Sequence, residues 1–253
     1  MNRMLENKVA IVTGGTRGIG RATAIALAKG GAKVAVCGRS VNGGMETVRL
    51  VQEIGGEGIF IRADITKEDE VAYLVKKTVE TYGHLDIACN NAGIRGSGTV
   101  AEAAVEDYQL IFDTNVKGVL LSMKYEIPAM LKSGGGSIIN MASIAALVSR
   151  GNASIYAASK GAVIALTRSA AMECVKQNIR INAIAPAGIE TEMLLDFIGG
   201  KESEAGRTFM ALHPMGRFGT PEEIANVVVF LASQRSSFIT GQTIALDGGF
   251  SSQ

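Results

Sequence analysis

The chain of 253 residues has no tryptophan, two histidines, three cysteines and four prolines. His84 and His213 are too few for a multi-histidine metal centre. Cys37, Cys89 and Cys174, odd in number and widely spaced, make neither a disulfide framework nor a zinc knuckle. Charged residues are also sparse, at 19% against the roughly 25% of an average soluble domain. The 25 basic and 24 acidic side chains leave a net charge of +1, so no basic stripe points to nucleic acid and no polybasic run to a membrane surface. The longest apolar runs, such as 227–232, fall far short of the ~20 residues that span a bilayer. The opening Met1-Asn2-Arg3-Met4-Leu5-Glu6-Asn7-Lys8 lacks the apolar core of a signal peptide. These absences set the expectation of a cytoplasmic, metal-free protein with no nucleic-acid or membrane partner.

What is abundant is glycine and apolar surface. The 31 glycines exceed the roughly 7% of ordinary usage without a collagen period, and 47% hydrophobic residues exclude disorder. Low charge with many small residues suggests strands covered on both faces, as in a parallel sheet between helices. The length fits one large domain or two small ones, and no Pro-rich or low-complexity break divides it.

Short β-like runs at 8–13, 33–37, 58–62, 85–90, 137–141, 180–185 and 242–246 alternate with helical stretches at about 18–30, 43–54, 67–82, 103–132, 154–177 and 220–233. Thr66 and Thr220 stand as N-caps, each with acids in the first turn behind it. The alternation predicts an α/β fold with a mainly parallel, seven-stranded, doubly wound sheet and helices on both faces, a three-layer Rossmann arrangement. Ligands of such sheets bind beyond the strands' carboxyl ends, near the reversal of strand order.

After the first strand comes Thr13-Gly14-Gly15-Thr16-Arg17-Gly18-Ile19-Gly20, opening a helix. Glycines at 14, 18 and 20 permit a tight turn, backbone approach to a pyrophosphate and close helix packing, while the helix N-terminus offers free N–H groups. A glycine cluster alone is often a plain turn; this one has the strand–loop–helix context that dinucleotide binding requires. The second strand runs into Gly38-Arg39-Ser40 with no acid for a ribose 2′-hydroxyl. Arg39, with Arg17, offers a 2′-phosphate charge-assisted bonds of about 1.5–3 kcal/mol each, unless both are ordinary loop residues. NADP(H) is therefore favoured, with NAD(H) open. Asp64-Ile65 after the third strand places a carboxylate near an adenine amino group or simply forms a turn. Asn90-Asn91-Ala92-Gly93 after the fourth lets the backbone run under a cofactor while an Asn amide bonds the adjacent loop.

Ser143 follows the fifth strand, and Tyr156-Ala157-Ala158-Ser159-Lys160 puts a phenol and an ammonium on one helical face. A free tyrosine has a pKa of about 10; a nearby ammonium and an oxidised nicotinamide would lower it. Ser143 would then bond the substrate oxygen while a proton is shuttled as hydride moves. Alone, the Tyr–Lys spacing is commonly a surface pair.

Taken together, Thr-Gly-x-x-x-Gly-x-Gly at 13–20, Asn-Asn-Ala-Gly at 90–93, Ser143 and Tyr156-x-x-x-Lys160 resemble the short-chain dehydrogenase/reductase family, over nearly the whole chain to Asp247-Gly248-Gly249. The resemblance implies one domain over 1–253, with a cofactor half at about 1–140 and a catalytic and substrate half at about 141–253. It implies Tyr156 as acid/base, Ser143 as polarising donor, and Lys160 as pKa tuner and ribose ligand. It also implies Asn115 as holder of a water linking the lysine to solvent. Asn91 matches a ribose neighbour, Ile189 and Thr191 residues beside the nicotinamide carboxamide, and Arg17 and Arg39 the basic pair of NADP-preferring members. With Gly14, Thr16, Gly18, Ile19, Gly20, Asp64, Ile65, Ala92, Gly93, Tyr156, Lys160 and Pro186 these make the expected cofactor set. The family also implies a homotetramer packed through the helices at 103–132 and 154–177. Pro186-Ala187-Gly188 departs from the family's Pro-Gly and is expected to reshape specificity.

An apolar lid is expected over about 190–213, carrying Met193, Leu194, Leu195, Phe197, Ile198, Phe209 and Met210; the plainer alternative is a helix covering the core. Arg95 and Arg150 read either as anion anchors or as surface arginines. Three activities stay in view. A carbonyl reductase or alcohol dehydrogenase acting on a small-molecule ketone or secondary alcohol is favoured. A 3-oxoacyl-[acyl-carrier-protein] reductase would need a basic docking patch, for which the long helices offer little beyond Lys132 and Lys176. An NADP-sensing protein would not need the full Asn115, Ser143, Tyr156 and Lys160 set.

Overall fold

The computed structural model describes residues 4–148 and 151–253; Met1, Asn2, Arg3 and the candidate anchor Arg150 lie outside them. Seven strands, β1 (Val9–Thr13), β2 (Lys33–Gly38), β3 (Gly58–Arg62), β4 (Ile87–Asn90), β5 (Gly136–Met141), β6 (Ile179–Pro186) and β7 (Thr243–Leu246), form one sheet in the order β3-β2-β1-β4-β5-β6-β7. Every pairing is parallel. Thr13 at the end of β1 stands beside Cys37 of β2 and Asn90 of β4. The chain builds outward from β1 in one direction, then returns and builds from β4 in the other. This reversal opens a crevice at the strands' carboxyl ends.

The helices follow as α1 (Gly18–Lys29), α2 (Val41–Glu53), α3 (Glu68–Tyr82), α4 (Val105–Phe112), α5 (Gly118–Lys132), α6 (Ser154–Cys174), α7 (Glu192–Ile198), α8 (Glu204–Ala211) and α9 (Pro221–Ala232). Successive side chains of a strand point to opposite faces, and β1 is buried throughout. Ile11 joins a core with Leu74 of α3, Leu121 of α5 and Val163 of α6. Its neighbours Ala10 and Val12 join the opposite core with Leu27 of α1, Val48 of α2 and Val228 of α9. Each fully buried aliphatic side chain contributes about 1.5–3 kcal/mol, so the central strands need to be apolar on both faces. This accounts for the low charge content.

Thr220 caps α9 in a complete capping box with Glu223. The cap expected at Thr66 is not formed. α3 starts one residue later, with Lys67 at its N-cap, because the Thr66 hydroxyl donates to Asp64 Oδ1 instead, at 2.9 Å. The helix expected over 103–132 is two helices, joined by a π turn at Asp113–Lys117 in which the Gly118 N–H donates to the Asp113 carbonyl. Such a turn is a common mark of a functional position, and this one contains Asn115. Among the described residues no helix is long and apolar enough to cross a membrane.

Candidate active site

A cavity of about 730 Å³ occupies the crevice, lined by the loops that follow β1 to β6. With strands about 4.8 Å apart, the five spacings from β3 to β6 give it a length of roughly 24 Å. That is an extended slot, suited to a dinucleotide.

At its middle lies the glycine loop. Gly14 and Gly18 have φ of +63° and +52°, a region open to glycine. A Cβ on Gly20 would come within 2.2 Å of the Gly14 carbonyl oxygen, so α1 can start beneath its own loop only with glycine there. Thr16, Gly18 and Ile19 line the cavity, as does Arg17 at the N-cap of α1. Arg21, passed over in the sequence, pins this loop. Its guanidinium donates to the Thr16 carbonyl at 2.6 Å and to Thr47 Oγ1 at 3.1 Å, and Thr47 in turn donates to the Gly15 carbonyl at 2.9 Å. Its partners lie in α2 and the loop, so no local pattern marks it.

Toward the β3 end the slot is bordered by Arg39, Ser40, Asp64 and Ile65. Arg39 is exposed and, among the described residues, has no hydrogen-bond or ion-pair partner. Ser40 caps α2 by accepting from Gly43 N at 3.2 Å; the sequence reading had not counted it in the site. Burial alone would raise the Asp64 carboxyl, but the Thr66 amide and hydroxyl and the charge of Arg39 outweigh it and hold the carboxyl low.

The floor comes from the loop after β4. Asn91 Nδ2 donates to the carbonyls of Thr13 and Gly14, at 3.0 and 3.1 Å, the expected loop-to-loop bond. Ala92 N donates to Thr13 Oγ1 at 3.2 Å. A Cβ on Gly93 would stand 3.1 Å from Asn115 Oδ1 and 3.2 Å from Lys160 Nζ, so a side chain here would crowd both groups.

Ser143, Tyr156 and Lys160 meet at the other end of the slot. Ser143 is buried and its hydroxyl accepts from Ala145 N at 3.2 Å. Lys160, 3% exposed, donates through Nζ to the Met141 carbonyl at 2.8 Å and stands 5.9 Å from the centre of the Tyr156 ring. Burial pushes its ammonium down to about 8. Burial also raises the half-buried Tyr156 phenol, and a hydrogen bond with Ser143 and the charge of Arg95 pull against that rise. The phenol is raised overall, and the nearby cation drawing it down is Arg95.

Asn115 does not line the cavity; it lies fully buried beneath it. Its amide is consumed structurally, accepting from Ile94 N at 2.8 Å and donating to the Ile94 carbonyl at 2.9 Å and to Ser159 Oγ at 3.1 Å. The π turn delivers Asn115 to this place, tying α5 to α6 and to the loop after β4.

At the end of β6 and beyond it, Pro186, Ala187, Ile189 and Thr191 line the slot. Ala187 keeps to the sheet through a 3.2 Å bond from its N–H to the Leu246 carbonyl. Gly188 N donates to His213 Nε2 at 3.0 Å, and the buried imidazole is held against Phe209, Phe218 and Phe250. Thr191 caps α7 by accepting from Leu194 N at 3.3 Å. Of the expected lid residues, Met193 and Leu194 face the slot. Leu194 and Ile198 form a small core with Phe218, against which Leu195, Phe209 and Met210 pack. The segment therefore both borders the slot and covers a core.

Arg17 has a partner, Glu192 of α7, at 3.1 Å. Arg95 is no surface residue: half-buried, it lines the cavity with its guanidinium 3.6 Å above the Phe197 ring and 5.9 Å from the Tyr156 ring.

The cradle fits a nicotinamide dinucleotide: a glycine loop in the middle, an exposed arginine at one end, and a phenol, hydroxyl and ammonium at the other. A family model described as "Enoyl-(Acyl carrier protein) reductase" matches residues 14–251. The chain is 39% identical to a cyclohexanol dehydrogenase of Acinetobacter sp. strain SE19, covering 100% of this chain and 98% of that one. It is 37% identical to a 3-oxoacyl-[acyl-carrier-protein] reductase of Thermotoga maritima, covering 97% and 98%. The crystal structure of levodione reductase superposes with a TM-score of 0.95 at 34% identity, covering 98% and 99%.

Proposed function

The chain belongs to the short-chain dehydrogenase/reductase family of oxidoreductases, and from that premise we propose that it interconverts a small ketone and its secondary alcohol, with NADPH favoured. The observation that carries this reading is the meeting of Ser143, Tyr156 and Lys160 at one end of a slot whose other end holds Arg39, which has no hydrogen-bond or ion-pair partner among the described residues. A nicotinamide cofactor, when bound, supplies or takes up the hydride. Gly14, Thr16, Gly18, Ile19 and Gly20 would hold its pyrophosphate. Asp64, Ile65 and Arg39 would hold the adenosine half, and Asn91, Ala92, Gly93 and Lys160 the nicotinamide ribose. Pro186, Ile189 and Thr191 would hold the carboxamide.

Ser143 donates a hydrogen bond to the substrate oxygen and fixes it beside the phenol. Tyr156 gives its proton to that oxygen during reduction and takes it back during oxidation. Lys160, held in place by the Met141 carbonyl, returns the proton to Tyr156, and Asn115 is the proposed anchor of the path to solvent. NADPH preference rests mainly on Arg39, since Glu192 already engages Arg17. Met193 and Leu194 supply an apolar wall, the moving part of a lid over about 190–213.

The proposal takes residues 1–253 as one domain with cofactor and catalytic halves meeting near residue 140. It takes the assembly as a homotetramer, supported by Val105, Tyr108, Leu110, Leu120, Met172 and Val175 standing exposed on α4, α5 and α6 and just beyond α6. The three buried free thiols fit a cytoplasmic setting.

The kinship to a 3-oxoacyl-[acyl-carrier-protein] reductase keeps a second reading. Lys132 and Lys176 lie at or just beyond the C-terminal ends of α5 and α6, which in this topology face away from the strands' carboxyl ends, so they do not form a docking patch at the slot. Assaying NADPH and NADH oxidation over ketones, diketones, sugars and acetoacetyl thioesters tests both. Turnover of simple ketones with NADPH supports the first; turnover confined to carrier-bound thioesters would replace it with the second.

A further inference from the structure

The loop after β4 carries one cation that the mechanism above does not use. Arg95 lies two residues beyond Gly93, in the same cavity as Ser143 and Tyr156. Among the described residues it has no acid partner, and its Nε is buried without a hydrogen-bond partner. The cavity's two lining carboxylates are committed elsewhere, Glu192 to Arg17 at 3.1 Å and Asp64 to Thr66 at 2.9 Å. The guanidinium lies 3.6 Å over the Phe197 ring. With the ring covering it on one side, the guanidinium offers the N–H fork from which a carboxylate accepts two parallel bonds.

The guanidinium carbon is 5.9 Å from the Tyr156 ring centre, a span that a few carbon–carbon bonds of about 1.5 Å each cover. A carbonyl held by Ser143 and Tyr156 and an anionic group on Arg95 can thus belong to one small molecule. Resting on the oxidoreductase reading, we propose that Arg95 is a specificity-determining anchor for a substrate carboxylate, making short oxo acids and the corresponding hydroxy acids the preferred substrates. A partly buried cation with no protein counter-ion is costly alone and becomes favourable once a ligand supplies the charge. Burial already disfavours the charged form of this arginine, as expected of a group awaiting its counter-ion.

The test compares acetoacetate and levulinate with their methyl esters in the wild type, Arg95→Met and Arg95→Lys, with cyclohexanone as a neutral ketone. Arg95→Met keeps an unbranched stem against Phe197 without the charge. The readout is the ratio of kcat/KM for acid over ester, in which any change in the acidity of Tyr156 cancels. The wild type is expected to favour one or both acids at least tenfold. Arg95→Met should collapse that ratio toward one, and Arg95→Lys should restore part of it. A ratio near one in the wild type, or equal losses on acid and ester in Arg95→Met, would overturn the anchor and leave Arg95 as a prop for α7. Turnover of cyclohexanone but of neither acid would overturn it as well. Silence on every ketone, with NADPH shown to bind by fluorescence, would instead overturn the oxidoreductase reading beneath it.

Discussion

Arg17 and Glu192, 175 positions apart, meet in a 3.1 Å ion pair that joins the glycine loop to the first turn of α7. Both residues line the slot, so the start of α7 and the glycine loop share one charge contact. Both side chains are more than 60% exposed, and such pairs contribute about 0–1 kcal/mol. Glu192→Gln is therefore expected to leave the melting temperature nearly unchanged. It should also free Arg17 and tighten NADPH binding severalfold, with NADH little affected. Fluorescence titration of both cofactors checks this, and equal shifts for the two would separate Arg17 from the 2′-phosphate.

Arg39 at the far end of the slot has no hydrogen-bond or ion-pair partner among the described residues. Charge-assisted bonds of about 1.5–3 kcal/mol translate into roughly ten- to hundredfold in affinity. Arg39→Ala should weaken NADPH by such a factor and NADH by much less. Comparable losses for both cofactors would remove the basis for NADPH preference.

Tyr156→Phe removes one oxygen and leaves the ring, whose centre is 5.9 Å from both Lys160 Nζ and the Arg95 guanidinium carbon. Turnover should fall by about 10²–10⁴-fold, the range for positioned proton transfer, while cofactor affinity stays within error. Near-normal turnover would take Tyr156 out of the chemistry.

Glu126 of α5 is buried away from the slot, accepting from Asn90 Nδ2 at 3.0 Å. Burial raises its carboxyl to about 7, although the Asn90 bond opposes the rise. Between its unfolded value near 4.5 and about 7, the folded state holds a proton that the unfolded state has released. Stability from this group is thus complete below about 4.5 and is lost as the pH rises through 7. At about 1.4 kcal/mol per unit, the loss is on the order of 3 kcal/mol. Glu126→Gln keeps an oxygen for Asn90 and should flatten that fall, visible in urea melts from pH 5 to pH 8. An unchanged slope would place the titration elsewhere.

Much of the slot was legible beforehand because it is written in short stretches. The glycine spacing at 14, 18 and 20, the turn at Asn91 and Gly93, and the four-residue step from Tyr156 to Lys160 act through backbone sterics and helical periodicity. Both operate within a few residues. The same local reading overran at 103–132, where helical propensity continues unbroken across Asp113–Lys117. The bonds from Asn115 to Ile94 and Ser159 accompany a π turn there. It also misplaced the cap at Thr66, whose hydroxyl had a nearer acceptor in Asp64.

The sequence by itself determined the α/β alternation, the apolar strands that require cover on both faces, and the loops on which the chemistry would sit. Only the tertiary structure decided which charges remain free. Arg17 found Glu192, Arg21 found the loop it pins, Arg39 stayed exposed near Asp64, and Arg95 came to rest over Phe197 beside Tyr156. A cation's partner depends on which distant loops the packed sheet brings within a few ångströms, and nothing in its neighbours along the chain carries that distance.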